Sequence, residues 1–182
     1  MAPAEALGIA ASSKLKPPLA GRIRVNTSRT QYYTATSLDG FIAGVGAIAM
    51  GSTTYEWILD HEFAGKDRAE WKWPYDIPGW VFTHRELPVV PEAQVEFTSG
   101  DVAAVHAEMV RAAGDRDVWI VGGGDLAGQF VDAGLLDEVI VSIAPVTLGA
   151  GAPLLPRRIE LRLDELARNG DFVAVRYSLA QQ

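Results

Sequence analysis

Three consecutive glycines, Gly122, Gly123 and Gly124, interrupt the stretch Val118 to Phe130 (VWIVGGGDLAGQF), between an apolar, β-branched run and a segment with helical spacing. Glycine loses more conformational freedom on folding than any other residue, so three in a row need a reason. A glycine-rich turn between a strand and a helix lets backbone N–H groups approach an anion closely, and the helix amino terminus adds about half a positive charge there. That is the chemistry of phosphate binding. A second stretch, AIAMGSTTYE, repeats the construction: an apolar strand, Gly51, then Ser52, Thr53 and Thr54 at a helix start, with hydroxyls as further donors. Two such ends point to a ligand with more than one phosphate. The competing reading is that the glycines only permit tight strand-to-helix turns; finding two turns of the same design favours the ligand. GGGDLA also fits the loose pattern G-x-G-x-x-A, but the dinucleotide fingerprint needs this turn after the first strand and an acidic residue about 20 positions on. The strand EVIVSIAP ends without one, so the Rossmann signal is weak.

Composition bounds the rest. The chain has 182 residues, 48% apolar and 21% charged, long enough for a proper core and short enough for one domain. Its net charge is -7 and its one basic cluster is Pro156 to Arg158, which argues against a nucleic-acid partner. There is no cysteine, and His61, His84 and His106 are scattered, so no metal is expected. No apolar run reaches the roughly 18 residues of a membrane span, and the early Glu5 is unlike a signal peptide. The expectation is a soluble, cytoplasmic protein with no membrane partner. Residues 1–21, rich in Ala, Ser, Lys and Pro, read as a disordered tail or a leader foreign to the core, and residues 22–182 as a single domain.

The elements that must hold the two turns alternate along the chain. After a short candidate strand at Arg22 to Val25, strands are expected at Gln31 to Thr36, Gly46 to Gly51, Trp80 to Thr83, Val118 to Val121 and Glu138 to Pro145. Helices are expected from Thr53 to Phe63, with Thr53 and Glu56 as a capping box, over the stretch Ser99 to Asp115, and from Asp125 to about Ala133. In the second helix Val102, Val105, His106, Met109 and Ala113 share one face, Ser99 or Asp101 is the cap and Gly114 the stop. Asn169-Gly170 between two alternating runs predicts a carboxyl-terminal hairpin. The fold class is α/β, with a mostly parallel sheet and a mixed edge. One link is too short. Only about nine residues separate the strand ending near Ser37 from the strand at Ala47, where a parallel crossover normally takes a dozen or more. Either the two strands are not parallel partners, or a crossover segment is lacking between about Ile42 and Gly46, which is the favoured reading.

In order and spacing, the stretches TATSLDGFIAG, IAMGSTTYEW, WVFTHRELP and VWIVGGGDLAGQFVDAGLLDEVIVSIAPVTLGAGAPLLP resemble the dihydrofolate-reductase-like family that includes the reductase domain of bacterial riboflavin biosynthesis. The resemblance spans about Thr30 to Leu179. It implies a three-layer α/β/α sandwich and a cleft that holds NADPH beside a pterin-like or pyrimidine-like substrate. Position by position, it implies that Gly51, Ser52, Thr53 and Thr54 meet the adenosine side and pyrophosphate, and that Thr83, His84 and Arg85 meet the ribose 2'-phosphate. Val121, Gly122, Gly123, Gly124, Asp125 and Leu126 would form the turn under the pyrophosphate and nicotinamide, with Asp125 acting mainly as a helix cap. On the substrate side the matching residues are Ser37, Leu38, Asp39 and Gly40, then Leu148, Gly149, Gly151 and Ala152. Asp39 is the candidate catalytic residue, as substrate hydrogen-bond partner or proton donor; an Asp-Gly pair also simply makes turns. The family's helix between SLDG and the MG strand is absent, so the acid it carries in dihydrofolate reductases has no counterpart here. Related reductases often pair, which makes a homodimer through the hairpin edge an expectation. The alternatives to an NADPH-dependent reductase are a catalytically silent nucleotide-binding regulator and a small-molecule-binding or resistance protein of the same fold.

Overall fold

The structure is a computed structural model that describes residues 28–33 and 44–180. Among the described residues eight strands form one sheet: β1 (Thr30–Tyr33), β2 (Val45–Gly51), β3 (Gly79–Phe82), β4 (Val95–Thr98), β5 (Asp117–Gly122), β6 (Glu138–Ile143), β7 (Leu161–Asn169) and β8 (Phe172–Leu179). The α-helices are α1 (Ser52–Phe63), α2 (Val102–Ala113) and α3 (Gly124–Asp132). Across the sheet the order is β4-β3-β2-β5-β1-β6-β8-β7. All neighbours are parallel except at the end, where β8 runs antiparallel to β6 and β7 antiparallel to β8. The expected α/β sandwich with a carboxyl-terminal hairpin is therefore the fold observed.

The strand β2 shows why the sheet has helices on both faces. Val45 to Met50 are all buried, an unbroken apolar run of the kind a central parallel strand needs. On one face Ile48, Met50, Val81 and Trp119 pack under Tyr55, Ile58, Leu59 and Phe63 of α1. On the other, Ala47, Ala49, Val118 and Ile120 pack under Val102, Val105 and Met109 of α2 and Leu126, Ala127 and Phe130 of α3. Val102, Val105, Met109 and Ala113 of the expected α2 face are buried, Asp101 is the cap, and Gly114 follows the last turn with φ 64°. Among the described residues no helix is long and apolar enough to cross a membrane.

Several expectations change. Helix α1 begins at Ser52, with Gly51 at the N-cap and no side-chain cap. The Thr53–Glu56 capping box does not form, because the N-cap is Gly51, two residues before Thr53, and Glu56 turns to Arg85 beyond the end of β3. The strand β4 went unpredicted; it is a short, half-exposed edge. The strand expected at Gln31 to Thr36 is seen as Thr30–Tyr33, and α3 starts at Gly124. The strands β1 and β2 are parallel without being partners, since β5 stands between them. Residues 34–43, which link them, and the candidate strand at Arg22 to Val25 lie outside the described residues.

Candidate functional site

The sheet places the two glycine turns side by side. Strands β2 and β5 are parallel neighbours with Met50 opposite Gly122, so both chains leave the sheet at the same edge. Helix α1 then leads outward to β3 on one face, and α3 leads the opposite way to β6 on the other. Adjacent strands whose following helices diverge in this way open a crevice at their carboxyl ends, where open α/β sheets bind ligands. Here the crevice is a cleft of about 230 Å³, lined by Gly51, Ser52 and Thr53 from one turn, Gly123, Asp125, Leu126 and Gln129 from the other, and Phe82 from β3. The Gly122–Gly123 peptide is cis.

Capping separates these helices from the third. Helix α2, away from the cleft, has the Asp101 carboxylate accepting from the Ala103 N–H at 2.7 Å. Helices α1 and α3 start from Gly51 and Gly123 with no side-chain cap. Their first-turn N–H groups thus have no side-chain acceptor at the N-cap, and the half-exposed helix starts leave them open to the cleft. Gly51 and Gly123 also keep the cleft open, since a β-carbon on Gly51 would lie no closer than 3.8 Å to its neighbours and one on Gly123 would meet nothing within 4 Å. Uncapped donors around open space suit an anion.

Gly124 has a different reason to be glycine. A β-carbon there would sit 2.2 Å from the Leu154 carbonyl oxygen, because the chain between β6 and β7 lies against the start of α3. The Tyr32 hydroxyl donates to that same carbonyl at 2.9 Å, and burial pushes the Tyr32 phenol above its ordinary range. Farther along, Arg157 covers Gly128, where a β-carbon would come within 2.9 Å of the guanidinium carbon. Its Nε donates to Asp132 at 2.8 Å, and Nη1 stands 3.5 Å from Asp125. The hydrogen bond to Asp132, with the nearby charge of Asp125 adding to it, holds the guanidinium still higher in pKa.

Asp125 is therefore not a helix cap. Its carboxylate takes Gln129 Nε2 at 3.2 Å and faces Arg157, one turn along and across the helix. At the end of β3, the Arg85 N–H donates to Thr83 Oγ1 at 3.0 Å. The Arg85 guanidinium grips Glu56 of α1 through both forks, at 3.0 and 2.7 Å, with His84 exposed beside it. Val121 is half-buried behind the glycines, and Thr54 Oγ1 would lie 3.1 Å from a β-carbon on Gly122. Leu148, Gly149, Gly151 and Ala152 are exposed; the loop reaches α3 through Pro153 and Leu154 instead. Ser37, Leu38, Asp39 and Gly40 lie outside the described residues.

Sequence reasoning missed Tyr32, Glu56, Phe82, Gln129 and Arg157. Gln129 was within reach: it is four residues after Asp125 and so shares its helical face. Gly128 inside a helical pattern also signals something packed closely upon it.

Residues 56–170 match the protein family described as the RibD C-terminal domain. The uncharacterized protein YwjB of Bacillus subtilis is 27% identical over 179 residues, 82% of this chain and 97% of that one. The riboflavin biosynthesis protein RibD of Haemophilus influenzae is 35% identical over 83 residues, 39% of this chain and 22% of that one. Among solved structures, a Shewanella protein provisionally named for riboflavin biosynthesis shares the fold with a TM-score of 0.63, at 22% identity over 84% of this chain and 99% of that one. Dihydrofolate reductase from Enterococcus faecalis, complexed with NADP(H), shares it at 0.52, with 11% identity over 84% of this chain and 97% of that one.

Proposed function

This chain belongs to the RibD C-terminal domain family, and on that premise we propose that it is an NADPH-dependent reductase acting on a pterin-like or pyrimidine-like small molecule. One observation carries the reading: two uncapped helix starts, set side by side at the carboxyl ends of β2 and β5, around a cleft of about 230 Å³ between them. The first-turn N–H groups of α1 and the hydroxyls of Ser52 and Thr53 hold one side of a pyrophosphate, and the start of α3 holds the other. Thr83 and Arg85, just past the end of β3, take a further phosphate on the ribose, a group that a hydroxyl beside a guanidinium fork suits. The nicotinamide, when bound, supplies the hydride, and the protein supplies binding, orientation and electrostatics. The net charge of -7 opposes an anionic cofactor at long range. Salt screens that repulsion beyond about 8 to 10 Å, so the local donors prevail.

On the substrate side, Asp39 with Ser37 and Gly40 holds the ring and delivers a proton, and the exposed loop through Leu148, Gly149 and Gly151 contacts the substrate. A second copy pairs along the edge strand β7, where Leu163 and Leu166 are 54% and 64% exposed; light scattering on the purified protein checks this. Titration with NADPH, followed through the cofactor's own fluorescence, tests the binding. Trp119 makes a poor reporter, being 2% exposed and packed against Tyr75. No saturable response to NADPH removes the reading. Turnover of NADPH with a pterin or an aminopyrimidine then identifies the substrate class.

One observation favours binding without turnover. The carboxylate that lines the described cleft, Asp125, is engaged by Gln129 and Arg157, which leaves donors but no free acid there. Saturable NADPH binding with no oxidation across pterins, dihydrofolate and pyrimidine intermediates of riboflavin synthesis supports this regulator reading.

A further inference from the structure

The ion pair between Arg85 and Glu56 is more than a surface contact, because of where the fold puts it. Glu56 sits one turn along α1 from Ser52, on the same helical face, and Ser52 lines the cleft. Arg85 follows three residues after Phe82, which lines the cleft from β3. The pair therefore flanks the cleft on the side opposite α3. A dinucleotide with its pyrophosphate between the two helix starts extends one of its ribose ends toward it.

Acid and base read a ribose differently. A carboxylate accepts a hydrogen bond from a free 2'-hydroxyl, whereas a guanidinium accommodates a 2'-phosphate. This protein presents both, and each is committed to the other: Arg85 Nη1 and Nη2 donate to Glu56 Oε1 and Oε2 at 3.0 and 2.7 Å. A 2'-phosphate must displace or crowd the carboxylate to reach the fork. A 2'-hydroxyl can bond to Glu56 with the pair intact.

We propose that Glu56 and Arg85 form a paired selector for the ribose end of the cofactor, in which Glu56 is a specificity-determining residue that restrains the preference for NADPH over NADH. The inference rests on the cofactor reading above. Both side chains are partly exposed, at 39% and 54%, so Glu56→Gln leaves packing unchanged and keeps a neutral partner for Arg85.

The test is direct titration of NADPH and NADH against the wild type, Glu56→Gln, Arg85→Ala and the double variant. Removing an exposed competing pair and a carboxylate beside a phosphate raises the NADPH-to-NADH affinity ratio about tenfold in Glu56→Gln. Arg85→Ala lowers the ratio below the wild-type value, chiefly by weakening NADPH, and the double variant binds the two cofactors nearly equally. If both cofactors bind the wild type and Glu56→Gln leaves the ratio within twofold, the selector is wrong while the cofactor reading stands. If neither cofactor binds any variant, both fall together.

Discussion

Gly51 and Gly124 have opposite reasons for being glycine, and alanine at each position separates them. At Gly51 (φ -82°, ψ 165°) the backbone suits any residue, and the new β-carbon meets only ordinary contacts at 3.8 and 3.9 Å. Alanine there restricts the unfolded chain, which stabilises by about 0.4–1 kcal/mol. It also replaces a better N-cap residue, which costs about 0.5–1 kcal/mol. The two nearly cancel, so Tm stays within about 2 °C of the wild type. Gly124→Ala instead drives a β-carbon to 2.2 Å from the Leu154 oxygen and 2.7 Å from the Pro153 oxygen, distances that require the loop to move by most of an ångström. Overpacking of that kind costs about 1–3 kcal/mol, and loss of the Tyr32–Leu154 hydrogen bond adds about 0.5–1.5 kcal/mol. The expected fall in Tm is about 5–15 °C. Ligand binding reverses the order of interest. The Gly51 methyl group projects into a cleft of about 230 Å³ and holds a phosphate away from the first-turn N–H groups of α1. Losing one charge-assisted hydrogen bond, about 1.5–3 kcal/mol, weakens NADPH by about 10- to 100-fold. Thermal unfolding and cofactor titration on the same samples read both effects. If Gly51→Ala binds NADPH as the wild type does, the glycine serves the turn alone and the phosphate argument fails.

Three further outcomes are expected. Tyr32→Phe removes the donor to the Leu154 carbonyl; stability falls by about 1 kcal/mol, and limited proteolysis finds the chain between β6 and β7 more readily cut. His106 bonds to Thr30 at 2.6 Å, and burial pulls its pKa down, with Asp137 opposing only in part. The unfolded state therefore binds the proton first, so stability is full above about pH 6.5 and declines as the pH falls toward the folded-state value. Tm measured from pH 8 to 5 shows this slope, and His106→Gln flattens it. Asp39→Asn lowers kcat for the reduced substrate with little change in NADPH affinity; an equal loss of both argues against a role on the substrate side.

What the sequence revealed was mostly local. Asn169-Gly170 marked the hairpin, with Gly170 at φ 60°, and the glycine runs marked both turns of the cleft because strand, turn and helix start are contiguous in the chain. The partners of polar side chains were not legible. Thr53 and Glu56 have capping-box spacing, yet Glu56 is claimed by Arg85, 29 residues away. Asp125 has the position of a capping residue, yet Arg157 and Gln129 hold it instead. Tyr32 gives no local sign that its hydroxyl meets a carbonyl 122 residues on. The strand β4 escaped notice because four half-exposed residues at an edge carry little alternation.

The place of β1 in the sheet bears on how the chain reaches its native state. Its neighbours come far later: Thr30 sits opposite Val118 and Tyr32 opposite Val139. Among the described strands β1 pairs with β5 and β6 alone, so during synthesis it waits for segments that begin more than 80 residues after it. Closing such distant contacts is entropically slow, so insertion of β1 between β5 and β6 is a late event in assembly. Until then the edges of those two strands stand open to pairing with other chains. Yield on expression should be more sensitive to temperature and chaperone supply than the final stability of the protein would suggest.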